Sequence, residues 1–108
     1  MSALSTLTAT DEICHDIPFE ELPATIGRAE DASVCVLDRW VSRLHCKIEF
    51  ADDSLVVRDL GSSHGTFVNG ARVNETVLKS GDRLGVGLTS FVATLNQDRV
   101  TLSVSSAG

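Results

Sequence analysis

The sequence predicts an all-β fold, an antiparallel β-sandwich assembled from many short strands. Three observations predict it. Residues 44–50 alternate between apolar and polar side chains, the period-2 signature of a half-buried strand. Turn-forming residues recur roughly every 8–12 positions between short β-branched runs, the spacing of a sandwich rather than of alternating strands and helices. No segment carries a sustained 3.6-residue apolar period.

Taken in order, Leu4–Thr8 is expected to begin the sheet. Ile13–Ile17 and Ala24–Ile26 are short strand candidates. Pro18 and Pro23 confine them to edges or ends, because proline cannot donate to a ladder. Val34–Leu37 follows. In 44–50, Leu44, Cys46, Ile48 and Phe50 are expected to face inward, and His45, Lys47 and Glu49 outward. Asp52-Asp53 marks a turn, and Ser54–Asp59 is the returning strand of a hairpin. Asn69-Gly70 is the strongest two-residue hairpin signal, since a type I′ turn needs positive φ at both positions. Val73–Leu78 is rich in β-branched residues, and Ser80-Gly81-Asp82 turns the chain. Arg83–Val86 and Thr89–Leu95 are two more strands, with Phe91, Ala93 and Leu95 sharing a face. Residues 1–97 are read as the sandwich domain. Residues 98–108 are a C-terminal extension with room for one extra strand before a frayed end.

A chain of 108 residues makes one domain that can bury a modest core without covalent staples. With four Phe, one Trp and no Tyr, the interior must be filled by Val, Leu, Ile and Ala. No apolar run approaches the ~18 residues of a membrane span, and 1–7 lacks the basic and apolar regions of a signal peptide. A net charge of −6 argues against nucleic acid, whose binders carry a basic excess. The charge is uneven: acidic residues dominate through Asp31, and then Arg39, Arg43 and Lys47 arrive close together. Cys14, Cys35 and Cys46 are odd in number and lack CxxC spacing. They are expected to be reduced thiols acting as small hydrophobes in a cytoplasmic protein.

Three punctuated segments carry the functional signal: Thr25-Ile26-Gly27-Arg28, Val41-Ser42-Arg43-Leu44-His45, and Gly61-Ser62-Ser63-His64-Gly65-Thr66-Phe67-Val68-Asn69-Gly70. Gly27 lets the backbone approach a neighbour or a ligand. Arg28 offers a planar fork of donors suited to a phosphate dianion. Ser42 can donate a short hydroxyl bond, and Arg43 adds charge beside it. Ser63 precedes a glycine-containing loop where hydroxyl and backbone N–H can both point at an anion. This is the chemistry of a phosphate clamp without that of phosphate cleavage. A Ser42–His45–Asp38 hydrolase would need a nucleophile–base contact that a strand at 44–50 does not offer, and the alternation puts Cys46 in the core rather than at a nucleophile's position. Zinc at Cys35, His45 and Cys46 is disfavoured because adjacent strand residues face opposite sides, as is metal binding at Cys14 and His15. His15 is read as an exposed strand residue, and Glu20-Glu21 as part of a solvated loop. Trp40 is either a partial core anchor or a contact near the site.

In this order and spacing, the three segments resemble a forkhead-associated (FHA) domain. Asp59-Leu60 ahead of the third segment, Gly81-Asp82-Arg83-Leu84 and Val86-Gly87 continue the pattern, and the resemblance runs from about Leu4 to Leu95. It implies a sandwich of about eleven strands that binds phosphothreonine peptides through loops at one end. It is a module without catalysis or cofactor, whose partner is a protein marked by a Ser/Thr kinase. By resemblance, Arg28 is a ligand of the phosphate and of the peptide backbone, Ser42 bonds the phosphate, and Arg43 assists. Ser63 lines the pocket around the threonine methyl and phosphate. His45 braces the loops, and Gly65, Thr66, Asn69 and Gly70 hold their shape. His64 stands where the family most often has Asn, whose amide bonds the peptide main chain. Imidazole lacks the amide's paired donor and acceptor. The alternative function is a phosphorylation-independent interaction scaffold of the same fold.

Overall fold

The computed structural model describes residues 14–104. Among these residues eleven strands form two sheets. We number them β1 (Cys14–Pro18), β2 (Ala24–Gly27), β3 (Val34–Cys35), β4 (Cys46–Ala51), β5 (Ser54–Asp59), β6 (Thr66–Val68), β7 (Ala71–Val73), β8 (Glu75–Val77), β9 (Arg83–Val86), β10 (Thr89–Leu95) and β11 (Arg99–Val104). One sheet runs β1-β11-β10-β9-β6-β7 and the other β3-β2-β4-β5-β8. All ladders are antiparallel except β2–β3. The proline at the end of β1 sits on a sheet edge, where a missing donor is tolerated.

The sheets meet on an apolar interior. Ile26, Cys46, Ile48 and Val57 from one sheet and Leu84, Val86, Phe91, Ala93, Val100 and Leu102 from the other are fully buried. The extension 98–108 contributes β11, which lies between β1 and β10 and supplies Val100 and Leu102 to this core. β6 and β7 are joined by Asn69-Gly70, with φ of 52° and 85°, as a type I′ turn requires. The Asn69 side chain also donates to Asp82 and accepts the Arg83 N–H, tying this hairpin to the turn before β9.

Several expectations need correction. The alternation does not extend to residues 44 and 45: β4 begins at Cys46, Leu44 is half-exposed, and His45 is fully buried. The cause is the segment before β4. His45 donates its N–H to Ile26 and accepts one from Leu60, so its side chain turns under the loops. Phe50 is also partly exposed, at the far end of β4, and packs edge-on against Phe19 at 4.4 Å. Val73–Leu78 is not one strand. It divides into β7 and β8 in different sheets, and the intervening Asn74 carbonyl accepts the Asp59 N–H. Of the three thiols only Cys46 is buried; Cys14 and Cys35 are exposed because they point to the face of β1 and β3 opposite the buried Ile17 and Val34. His15 is half-buried rather than exposed, its ring edge-on to Phe91. Glu20 and Glu21 lie exposed in a 3-10 turn. The expected strand Leu4–Thr8 falls outside the described residues. Of the expected frayed end Ser103–Gly108, Ser103 and Val104 instead complete β11, paired with Val92 and Phe91, and 105–108 lie outside the described residues.

Candidate functional site: an arginine- and serine-lined depression between loops

Three connections converge at one end of the sandwich: β2 to β3, β3 to β4, and β5 to β6. Backbone bonds lock the first two together. The N–H groups of Arg28 and Ala29 donate to the carbonyls of Ser42 and Arg43, at 3.0 and 3.1 Å. Gly27 permits this approach, because a Cβ there would lie 2.0 Å from the Arg43 carbonyl oxygen. The residue type is dictated by space.

His45 joins the second loop to the third. Its Nδ1 accepts the Ser42 N–H at 3.1 Å, so its proton resides on Nε2, which donates to the Gly65 carbonyl at 2.8 Å. Both ring nitrogens are thereby committed. His45 cannot serve Ser42 as a base, and it cannot ligate zinc.

Asp59 shapes the third loop from below. One carboxylate oxygen accepts the Gly61 and Ser62 N–H groups, and the other accepts the Ser62 and Thr66 hydroxyls. The Ser62 hydroxyl oxygen in turn accepts the Gly65 N–H at 2.9 Å. Burial pushes the Asp59 carboxyl up, but the hydroxyl and amide donors outweigh it and hold the group below its ordinary range.

On this frame the structure brings Arg28, Ser42, Arg43, Ser63 and His64 to one depression of about 340 Å³, together with Arg39, Trp40 and Val41. The Arg28 Nε donates to the Val41 carbonyl at 3.0 Å. That bond fixes the guanidinium and leaves its terminal nitrogens to the depression. Ser42 Oγ accepts the Ser63 N–H at 3.0 Å. The Ser63 N–H is therefore engaged with protein rather than available to an anion, and what the two serines offer the depression is their hydroxyls. Glu30 and Asp31 flank Arg28 and Arg43 on the adjoining side. Gly65 and Thr66, next in the third loop, are buried and not part of the lining, Thr66 fully so.

Trp40 is not a core anchor. It is 42% exposed, and its ring meets His64 edge-to-face with centroids 4.9 Å apart. The motif residues alone give no sign that two aspartates, Asp38 and Asp59, set the loops. Asp38 accepts the Trp40 N–H at 2.8 Å, the Leu88 N–H at 2.7 Å and the Thr89 hydroxyl at 2.9 Å. The signal was present. Asp38-Arg39-Trp40 and Asp59-Leu60-Gly61 each place an Asp two residues before the amide it receives, the Asx-turn pattern.

The arrangement is a cationic, hydroxyl-lined recess on a β-sandwich, with the His45 imidazole committed to the frame and His64 exposed in the lining. Guanidinium and hydroxyl donors of this kind suit an oxyanion. The chain belongs to the FHA domain family, whose model matches residues 24–87.

Among relatives, the FHA domain-containing protein FhaB of Mycobacterium tuberculosis is 32% identical over 76 residues, 69% of this chain and 49% of that protein. The oxoglutarate dehydrogenase inhibitor of Corynebacterium diphtheriae is 40% identical over 63 residues, 58% of this chain and 44% of that protein. The chain thus spans about half the length of these curated relatives. An FHA domain solved in a structural and functional analysis of phosphothreonine-dependent FHA domain interactions superposes with a TM-score of 0.65. It is 34% identical, with coverage of 68% of this chain and 76% of that one.

Proposed function

We propose that this chain is a non-catalytic module that binds phosphothreonine in a partner protein, written there by a Ser/Thr kinase, for signalling or assembly. One observation carries the reading: a fixed Arg28 guanidinium and the Ser42 hydroxyl face one recess whose walls are braced by buried polar contacts. Preorganised donors of this kind favour a dianion, because charge-assisted bonds to a held guanidinium are short and strong. In this reading the Arg28 terminal nitrogens and the Ser42 hydroxyl take the phosphate oxygens. Arg43 adds positive potential from the rim. Ser63 lies against the threonine methyl and phosphate, and His64 meets the peptide beside it. The solved FHA domain from the work on phosphothreonine-dependent interactions supports the assignment.

We assign the module to the cytoplasm. Its three cysteines are free, which suits a reducing compartment. Among the described residues no helix is long and apolar enough to cross a membrane.

The test is isothermal titration with a degenerate phosphothreonine peptide library and its unphosphorylated counterpart. Heat of binding is expected from the phosphorylated library alone. Equal binding of both would replace the reading with that of a phosphorylation-independent scaffold.

A further inference from the structure

We propose that Trp40 and His64 together form an aromatic shelf that selects an aromatic side chain of the ligand close to its phosphothreonine. The inference rests on the phosphothreonine reading above and adds to it the chemistry of the flanking residue. Its starting point is the pair itself. The two rings come from different loops, 24 positions apart in sequence, and meet edge-to-face at 84° with centroids 4.9 Å apart. Both line the depression that holds Arg28, Ser42 and Ser63. Neither is buried: Trp40 is 42% exposed and His64 is exposed. An edge-to-face pair at a rim leaves ring face open to solvent, where a third ring can stack or lean.

The shelf is built rather than incidental. Asp38 holds the Trp40 backbone by its N–H and anchors the same loop to the Leu88 N–H and the Thr89 hydroxyl. The Val41 carbonyl next to Trp40 is taken by Arg28. On the other side, the segment carrying His64 is tied at Ser63 to Ser42 and at Gly65 to His45. Each ring therefore sits on a braced loop, and contacting it costs a ligand little ordering of the protein.

The occupant follows from the surroundings. Arg28, Arg39 and Arg43 line the same recess, so a Lys or Arg on the ligand would meet like charge. An aromatic side chain meets no such penalty and gains buried area and ring contact.

The experiment is an array of phosphothreonine peptides with Phe, Ala, Lys or Asp placed in turn at every flanking position, measured by fluorescence anisotropy on the wild type, Trp40→Ala and Trp40→Phe. At one flanking position the wild type is expected to favour Phe over Ala by about tenfold. Trp40→Ala is expected to bring that ratio close to one, and Trp40→Phe to keep most of it. The ratio is the readout, so a general weakening from a disturbed loop, which lowers all peptides together, does not imitate the result. A Phe preference that persists in Trp40→Ala, or a flat wild-type profile among peptides that do bind, overturns the shelf and leaves phosphothreonine binding intact. Failure of every phosphopeptide overturns both readings.

Discussion

The interior of the sandwich and its loop end are held together by different physics. Between the sheets the buried side chains are apolar, donated by alternating strand positions. The buried polar side chains among the described residues are His45 and Thr66, and both serve the loops. His45 spans the second and third loops, and Thr66 donates to the aspartate that shapes the third. An apolar core resists unfolding but does not specify where a hydroxyl points. A satisfied buried polar network does specify it, because breaking one bond strands its partner in a dry place. The molecule separates the two tasks, and substitutions should therefore separate stability from recognition.

The largest expected effect is on the interior alone. Phe91 is 1% exposed at the centre of the core, and Phe91→Ala should lower unfolding free energy by about 3–5 kcal/mol. Urea denaturation checks this. Phosphopeptide affinity of the molecules that remain folded should match the wild type. His45→Ala should break both regions together. It strands the part-buried Ser42 N–H and the buried Gly65 carbonyl, at about 2–4 kcal/mol for the two groups, and it releases the loops that carry Ser42 and Ser63. If denaturation shows the loss while titration shows unchanged affinity, the loops do not need their brace.

Arg28→Ala should do the converse of Phe91→Ala. The side chain is exposed and makes one bond to the protein, so the unfolding midpoint should hardly move. Binding should fall by about 2–4 kcal/mol, the loss expected when one member of a desolvated charged pair is removed. Isothermal titration with the best phosphopeptide decides it; a loss under about twofold would remove Arg28 from the phosphate site.

How much of this was legible in the sequence follows the same division. Ser54–Asp59, Arg83–Val86 and Thr89–Leu95 are found where alternation and turn residues put them, because a strand's inward face is written locally in every second residue. The type I′ turn at Asn69-Gly70 is local too. His45 was misread as outward because its burial depends on Ile26 and Leu60, which local alternation does not record. The split of 73–78 between two sheets depends likewise on a distant strand edge. At the site, the motif residues could be named in advance, and they do line one depression. The Trp40–His64 contact could not, since rings on two loops share no period. The Ser63 N–H was expected to face an anion, and only the tertiary structure reveals that Ser42 takes it.

A smaller effect tests the shape of the recess. Phosphothreonine and phosphoserine differ by one methyl group, and enclosing a methyl is worth on the order of 1 kcal/mol. Matched peptides should therefore differ by roughly tenfold or somewhat less in favour of phosphothreonine. Equal affinities in competition anisotropy would mean that the wall at Ser63 is open to solvent.

The smallest expected effect is a change of slope with pH rather than a loss of stability at neutrality. Asp59 receives four donors in the folded loop, and its folded pKa lies below the ordinary value of 3.8. Burial opposes that shift, and the Ser62 and Thr66 hydroxyls with the Ser62 and Gly61 amides overcome it. A depressed carboxyl stabilises the fold above its unfolded pKa, and the contribution is lost as the pH falls through the folded value. Stability should thus be level from neutrality to about pH 5 and decline below about pH 4. Asp38 and Asp82, whose carboxyls are also held low by hydrogen bonds, add to the same decline, so removing one member makes it shallower without abolishing it. Asp59→Asn has no proton to gain and should show that shallower decline in urea denaturation series between neutrality and acid. If wild type and variant lose stability in parallel, the donors around Asp59 hold its position but contribute nothing to the pH dependence, and the acid sensitivity must be carried by Asp38 at the loop end and by Asp82 in the turn at the other end of β6.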